Sequence, residues 1–101
     1  MMFSTQDIVL HIADLNPEAI LWDGFNDCIV GVTEKGIVVY ETSLMIAKLM
    51  RADEMTPEDA LEYLQFNTWN TFVGEFTPIH IQLFDVEAFH MAKDGEGYPH
   101  M

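Results

Sequence analysis

The spacing of hydrophobic residues predicts two helices in the first half of the chain. Residues 4–14 begin with Ser4 as an N-cap and carry Asp7 three positions later, which is the pattern of a capping box. Residues 44–52 follow the cap residue Thr42 and place apolar side chains at helical spacing. We therefore expect one helix at the start of the chain and a second near its middle.

A third predicted helix has the strongest start signal in the chain. Thr56 can cap it, and Pro57 suits the first helical position because its missing N–H has no partner to lose there. The next two residues are acidic, which complements the positive end of the helix dipole. We expect this helix to run from Pro57 to about Phe72 and to stop at Gly74.

A β-hairpin is predicted between the first two helices. Residues 28–33 and 37–41 are apolar runs separated by a three-residue loop that ends in Gly36. Glycine suits that position because it adopts the left-handed conformation without steric cost. Gly31, in the middle of a strand, indicates a bulge or a close approach of another backbone. Since both runs are apolar at nearly every position, we expect both faces of the hairpin to be covered.

Two further strands complete the predicted sheet. Residues 19–22 form an apolar run before an Asp-Gly turn, and residues 78–84 alternate in polarity after Pro78. The expected order is α-β-β-β-α-α-β, which is typical of an α+β domain with about three helices and a small, mostly antiparallel sheet of three to four strands. We expect residues 1–92 to form this single domain and residues 93–101 to form a flexible C-terminal tail.

Net charge limits the classes of partner. The chain has 17 acidic residues against 4 basic ones, a formal net charge of −13. Direct nucleic-acid binding is disfavoured because phosphate contacts need clustered lysine and arginine. The charge would attract a basic protein surface, although it could also serve only solubility. No apolar run approaches the roughly 18 residues of a membrane span, and Cys28 is the only cysteine. We expect a cytoplasmic protein with no cofactor.

Four stretches carry a resemblance to other proteins: LWDGF at 21–25, IVGV at 29–32, ALEYLQFN at 60–67 and VGEFTPI at 73–79. They resemble small uncharacterised acidic proteins of phages and prophages, and the match covers about residues 20–81. No activity is assigned to such proteins, so the resemblance implies no catalytic residue, cofactor or substrate. It implies a phage or prophage setting, in which the protein would bind a host protein in the host cytoplasm.

A divalent metal site is one candidate for chemistry. Asp23 and Asp27 flank the loop between the first two predicted strands, and Glu75 precedes the last strand, so the three carboxylates could converge with His80. Magnesium accepts oxygen ligands of this kind. The alternative is ordinary turn chemistry, in which aspartate side chains bond nearby backbone amides. Cys28, at the start of an apolar strand, is more typical of a small buried side chain than of a nucleophile.

The third helix carries two candidate contact surfaces for a partner. The first is acidic and the second combines aromatic rings with amides. The expected partner-binding residues are Asp53, Glu54, Glu58, Asp59, Glu62, Tyr63, Phe66, Asn67, Trp69, Asn70 and Glu75. Large rigid rings and amides are common in interface cores. The alternatives are that the rings are core residues and that the first acidic residues only complement the helix dipole.

These patterns favour a non-enzymatic acidic protein that docks on a basic surface of a host protein as an inhibitor or adaptor, with nucleic-acid mimicry as one form of inhibition. A metal-dependent hydrolase using Asp23, Asp27 and Glu75 is an alternative. A second alternative is a small-molecule binding protein with an apolar pocket between hairpin and helix. A homodimer would also cover the apolar face of the hairpin.

Overall fold

The structure is a computed structural model that describes residues 4–84. These residues contain three α-helices and three strands, which confirms the α+β class and matches the expected order closely. The helices are α1 (Thr5–Leu15), α2 (Thr42–Ala52) and α3 (Pro57–Leu64). The strands are β1 (Ile29–Val32), β2 (Val38–Glu41) and β3 (Ile79–Ile81). A 3₁₀ turn (Asn26–Cys28) precedes β1, and a π-helix (Gln65–Trp69) follows α3. The predicted tail at 93–101, like residues 85–92 of the predicted domain, lies outside the described residues.

The caps predicted for α1 and α3 form, whereas the Thr42 cap predicted for α2 is wrong: the Glu41 carboxylate caps that helix by accepting a hydrogen bond from the Leu44 N–H at 2.8 Å. The Ser4 hydroxyl accepts a hydrogen bond from the Asp7 N–H at 3.1 Å, and the Asp7 carboxylate accepts one from the Ser4 N–H at 3.2 Å. Thr56 likewise accepts from the Asp59 N–H at 3.1 Å, with Pro57 in the first turn of α3. Each bond satisfies a backbone donor that the helix itself cannot pair. None of the helices within residues 4–84 has the length and apolarity needed to cross a membrane.

The sheet has the order β1-β2-β3 and is mixed, so the prediction of a mostly antiparallel sheet is wrong. β1 and β2 pair antiparallel, with Gly36 at φ 84° in the turn and a register shift between Ile29 and Gly31, as the glycines predict. β2 and β3 pair parallel. The parallel pairing is possible because α2 and α3 form a long connection between these two strands, whereas a hairpin would have forced the antiparallel arrangement.

The predicted strand at residues 19–22 does not form. Among residues 4–84 this segment has no strand partner, and Ala19, Leu21 and Trp22 are half-buried and pack against the core instead. Its clearest tie to the sheet is a hydrogen bond from the Trp22 backbone N–H to the Tyr40 hydroxyl at 2.7 Å. The run is therefore apolar because it covers the core and not because it is a strand.

The core lies between the sheet and the helices. Five of its residues, Val38, Tyr40, Met45, Ala60 and Leu64, have no solvent exposure. Elements within residues 4–84 do not fully cover β1, where Val30 is 39% exposed, so coverage of that face by another subunit stays a prediction. Val30 is the extra residue at the bulge, and such a residue leaves the regular ladder.

Candidate partner-binding surface

The four predicted metal ligands do not form a site. Within residues 4–84 no three His, Cys, Asp or Glu side chains are close enough to hold a metal ion. Asp27 instead forms an ion pair with Lys48, in which the Lys48 Nζ lies 2.9 Å from the Asp27 Oδ2. The hydrogen bond from Lys48 lowers the pKa of the Asp27 carboxyl. Asp23 and Glu75 lie exposed in separate turns. The structure thus places Asp23 and Glu75 in turns and Asp27 in an ion pair, and does not bring them together.

His80 belongs to an aromatic cluster. Its Nε2 accepts a hydrogen bond from the Trp22 indole N–H at 2.8 Å, and its ring centroid lies 6.1 Å from those of Trp22 and Tyr40 and 6.3 Å from that of Trp69. Burial lowers the pKa of His80, which favours the neutral form that this hydrogen bond requires. His80 thus acts as a structural acceptor that ties β3 to the segment before the 3₁₀ turn.

Cys28 is also structural. Its side chain is buried, and burial followed by the nearby Asp27 charge raises the pKa of the thiol to about 11. A thiol with such a pKa remains protonated at neutral pH and is a poor nucleophile. The expectation of a small buried side chain is confirmed by this position in the core.

The helix that was predicted to reach Phe72 changes its hydrogen-bond pattern much earlier. α3 ends at Leu64, and a π-helix follows over Gln65–Trp69. The amide of Asn67 donates to the Tyr63 carbonyl at 2.9 Å, and the amide of Asn70 donates to the Gln65 carbonyl at 3.0 Å. Both amides thus pair with helix carbonyls, which gives them a local role in ending the helix.

The aromatic residues of this segment divide between two environments. Trp69 is half-buried against the core, and its indole N–H lies 3.5 Å from the Met45 sulfur. Phe66 is 79% exposed and Tyr63 is 42% exposed. The predicted polar-aromatic face is therefore split, with Trp69 serving the core and the other two rings reaching solvent.

The exposed rings border a concave surface, which we call the acidic-aromatic cleft. It has a volume of about 350 Å³ and is lined by Met55, Asp59, Glu62, Tyr63, Phe66 and Asn67. Spacings of three and four residues place most of these side chains on one helical face. Sequence reasoning named all of them except Met55. Its position directly before the Thr56 cap is the signal that could have found it, because apolar residues there fold back on the helix.

The carboxylates of the cleft have no counter-charge among residues 4–84. Within residues 4–84 neither the Asp59 nor the Glu62 carboxylate takes part in a hydrogen bond or an ion pair. Glu58 and the two acidic residues of the α2–α3 connection, Asp53 and Glu54, are exposed as well. Glu54 adopts a left-handed backbone with φ 55°, in the position after the α2 cap that glycine usually occupies. The acidic band that the sequence predicts is thus present on the surface around α3.

A second concavity lies on another part of the surface. It has a volume of about 270 Å³ and is lined by Thr5, Gly24, Asn26, Asp27 and Lys48. The two charged members pair with each other, so this concavity offers a ligand less unpaired charge than the acidic-aromatic cleft does.

No protein-family model, no curated protein and no solved structure matches this chain.

Proposed function

We propose that this protein acts by binding another protein that presents a basic surface, with the acidic-aromatic cleft at the centre of the contact. The observation that carries the proposal is the 79% exposed ring of Phe66 in a concave surface, beside carboxylates that have no partner among residues 4–84. Exposed aromatic rings of this size are characteristic anchors of protein interfaces, where they bury a large area with little loss of rotamer freedom.

Charge supports a basic partner. The net charge of −13 attracts cationic surfaces and accelerates encounter with them, while it repels the phosphates of nucleic acids. The phage or prophage setting that we propose from the sequence of residues 20–81 would make a bacterial host protein the first partner to seek. In that setting the protein serves as an inhibitor or an adaptor, since occupying a basic surface blocks or redirects what that surface normally binds.

The metal-dependent hydrolase has no comparable support. Asp27 is paired with Lys48, and among the described residues Asp23, Asp27, Glu75 and His80 do not gather around a common point. A calorimetric titration with magnesium and manganese is its direct test. Heat of binding together with a thermal shift would revive it.

The proposal is tested by affinity capture from a bacterial lysate, followed by measurement of the dissociation constant of each captured protein at roughly 50 to 500 mM salt. Screening weakens contacts between exposed charges, so we expect the affinity to fall steadily as salt rises. The double variant Asp59→Asn with Glu62→Gln should weaken binding strongly. Its control is Asp14→Asn with Glu18→Gln, which removes the same charge from exposed positions at and after the end of α1.

Two results would contradict the proposal. One is an affinity that does not change with salt. The other is equal weakening by the cleft variant and by its charge-matched control, because binding would then depend on overall charge and not on the cleft.

A further inference from the structure

We infer that the acidic-aromatic cleft receives one arginine side chain of the partner, whose guanidinium contacts the Phe66 and Tyr63 rings and the Asp59 and Glu62 carboxylates. This inference rests on the proposed function, because it specifies which group of the basic partner enters the cleft.

The lining selects a cation. Two of its members are carboxylates without a partner among residues 4–84, and none of its members is basic. Two others are aromatic rings, which attract a cation through the negative potential above the ring plane. Met55 adds a polarisable apolar side chain against which the methylene stem of a long cationic residue can pack. An anion would be repelled by this lining, and an apolar side chain would leave both carboxylates without a counter-charge.

Arginine fits this combination better than lysine. Its planar guanidinium can stack on a ring while it donates several hydrogen bonds to carboxylates, and it is more weakly hydrated than an ammonium group. Lysine carries a compact charge that can satisfy a carboxylate but cannot stack. A cleft that pairs rings with carboxylates therefore favours arginine through geometry as well as charge.

A different protein is the favoured source of the arginine. This chain contains a single arginine, Arg51, in the last turn of α2. Docking Arg51 of one copy into the cleft of another would bring together two chains that each carry a net charge of −13. Repulsion of that size opposes self-association, so a basic partner is the favoured source.

The test uses small probes and the full chain. N-acetylarginine amide, N-acetyllysine amide and N-acetylcitrulline amide are each titrated to about 100 mM at low salt, and the backbone amide signals of the ¹⁵N-labelled protein are followed by NMR. We expect the arginine probe to shift signals at the lining residues, with a dissociation constant on the order of 10 mM for so small a ligand. Citrulline has nearly the same shape without the charge and should produce no saturable shift. Lysine should bind about threefold more weakly than arginine.

Matched variants distinguish an arginine side chain bound in the cleft from general attraction between the probe and the negative charge of the protein. Phe66→Ala should weaken the arginine probe about threefold to fivefold, since an exposed cation–π contact is lost. Phe72→Ala is the control, because Phe72 is 81% exposed but does not line the cleft. Phe66→Leu keeps an apolar side chain and removes the ring, so it should behave as Phe66→Ala does. Glu62→Gln should weaken binding, whereas Glu75→Gln should not.

Failure of this inference can be distinguished from failure of the proposed function. Absence of localised shifts with the arginine probe, equal shifts with citrulline, or equal effects of Phe66→Ala and Phe72→Ala would overturn this inference. Salt-dependent capture of a basic partner could still stand in that case. Concentration-dependent dimerisation that Arg51→Gln abolishes would show the side chain of a second copy in the cleft, and it would overturn the assignment to a foreign partner.

Discussion

Trp69 and Phe66 lie three residues apart in the same π-helix, yet one serves the fold and the other faces solvent. Trp69 contacts Met45 and lies beside His80, whose own hydrogen bond is made by Trp22. Phe66 borders a cleft whose carboxylates have no partner among residues 4–84. The comparison shows that an aromatic residue near polar groups becomes a candidate contact only where those groups remain unpaired. The exposed cleft, rather than the aromatic cluster around His80, is therefore the candidate contact surface.

The largest expected effect on stability comes from truncating a core side chain, and it is compared with truncating a side chain of the cleft. Leu64→Ala removes a side chain with no exposure and should lower the free energy of unfolding by about 2–5 kcal/mol, because a cavity remains. Phe66→Ala, two residues later, should change it by no more than about 0.5 kcal/mol. Urea unfolding followed by circular dichroism measures both. Similar losses in the two variants would show that Phe66 packs against the fold.

A smaller effect is expected from removing single hydroxyl groups. Tyr40→Phe leaves the Trp22 backbone N–H without its acceptor and should cost about 1–3 kcal/mol. Tyr63→Phe is the matched control, since no hydrogen bond of the Tyr63 hydroxyl occurs within residues 4–84 and its side chain is 42% exposed. Denaturant midpoints of the two variants give the comparison directly. A Tyr63→Phe loss as large as that of Tyr40→Phe would place Tyr63 in the fold.

Acid should destabilise the aromatic cluster through His80. Burial lowers the pKa of this imidazole below its ordinary value of 6.5, so the unfolded chain binds the proton more readily than the folded one. Stability is then full above about pH 6.5 and falls as pH decreases from there toward the folded pKa. Urea unfolding between pH 7.5 and 5 measures this slope. His80→Gln should reduce this dependence of stability on pH, whereas His11→Gln, at an exposed position, should leave it unchanged. An unchanged slope in His80→Gln would refute the assignment of the acid effect to His80.

The smallest effect concerns the connection beside the cleft. Glu54 has φ 55°, a conformation that costs a non-glycine residue about 1 kcal/mol. Glu54→Gly should therefore raise the free energy of unfolding by up to about 1 kcal/mol, whereas Glu54→Ala should not. Thermal unfolding compares the two variants, which lose the same charge. No difference between them would mean that the connection relaxes when the side chain is changed.

The parts of the fold that were predictable depend on short stretches of chain. The Ser4 and Thr56 caps, the Gly36 turn and the bulge at Gly31 each follow from a few neighbouring residues, and all of them form. The acidic and aromatic lining of the cleft was predictable for the same reason, since its members repeat at helical spacing.

The parts that failed depend on distant residues. Residues 19–22 are apolar because they cover the core, and an apolar run of that length does not reveal whether a strand or a loop covers it. Trp69 is half-buried and Phe66 is exposed because a π-helix begins after Leu64 and because Met45 lies where the Trp69 indole can contact it. The parallel pairing of β3 is set by how two helices pack, which no local pattern records.

That parallel pairing also bears on the order in which the molecule folds. The β1–β2 hairpin and the helix caps form from neighbouring residues, but the hydrogen bond between Trp22 and His80 joins positions 58 apart in sequence. Closing so long a segment is slow compared with local steps. We expect β3 to join the sheet last and to seal the core around Tyr40 as it does so. Pulse-labelling hydrogen exchange would show this as late protection of the Ile79–Ile81 amides, and early protection there would reverse the order.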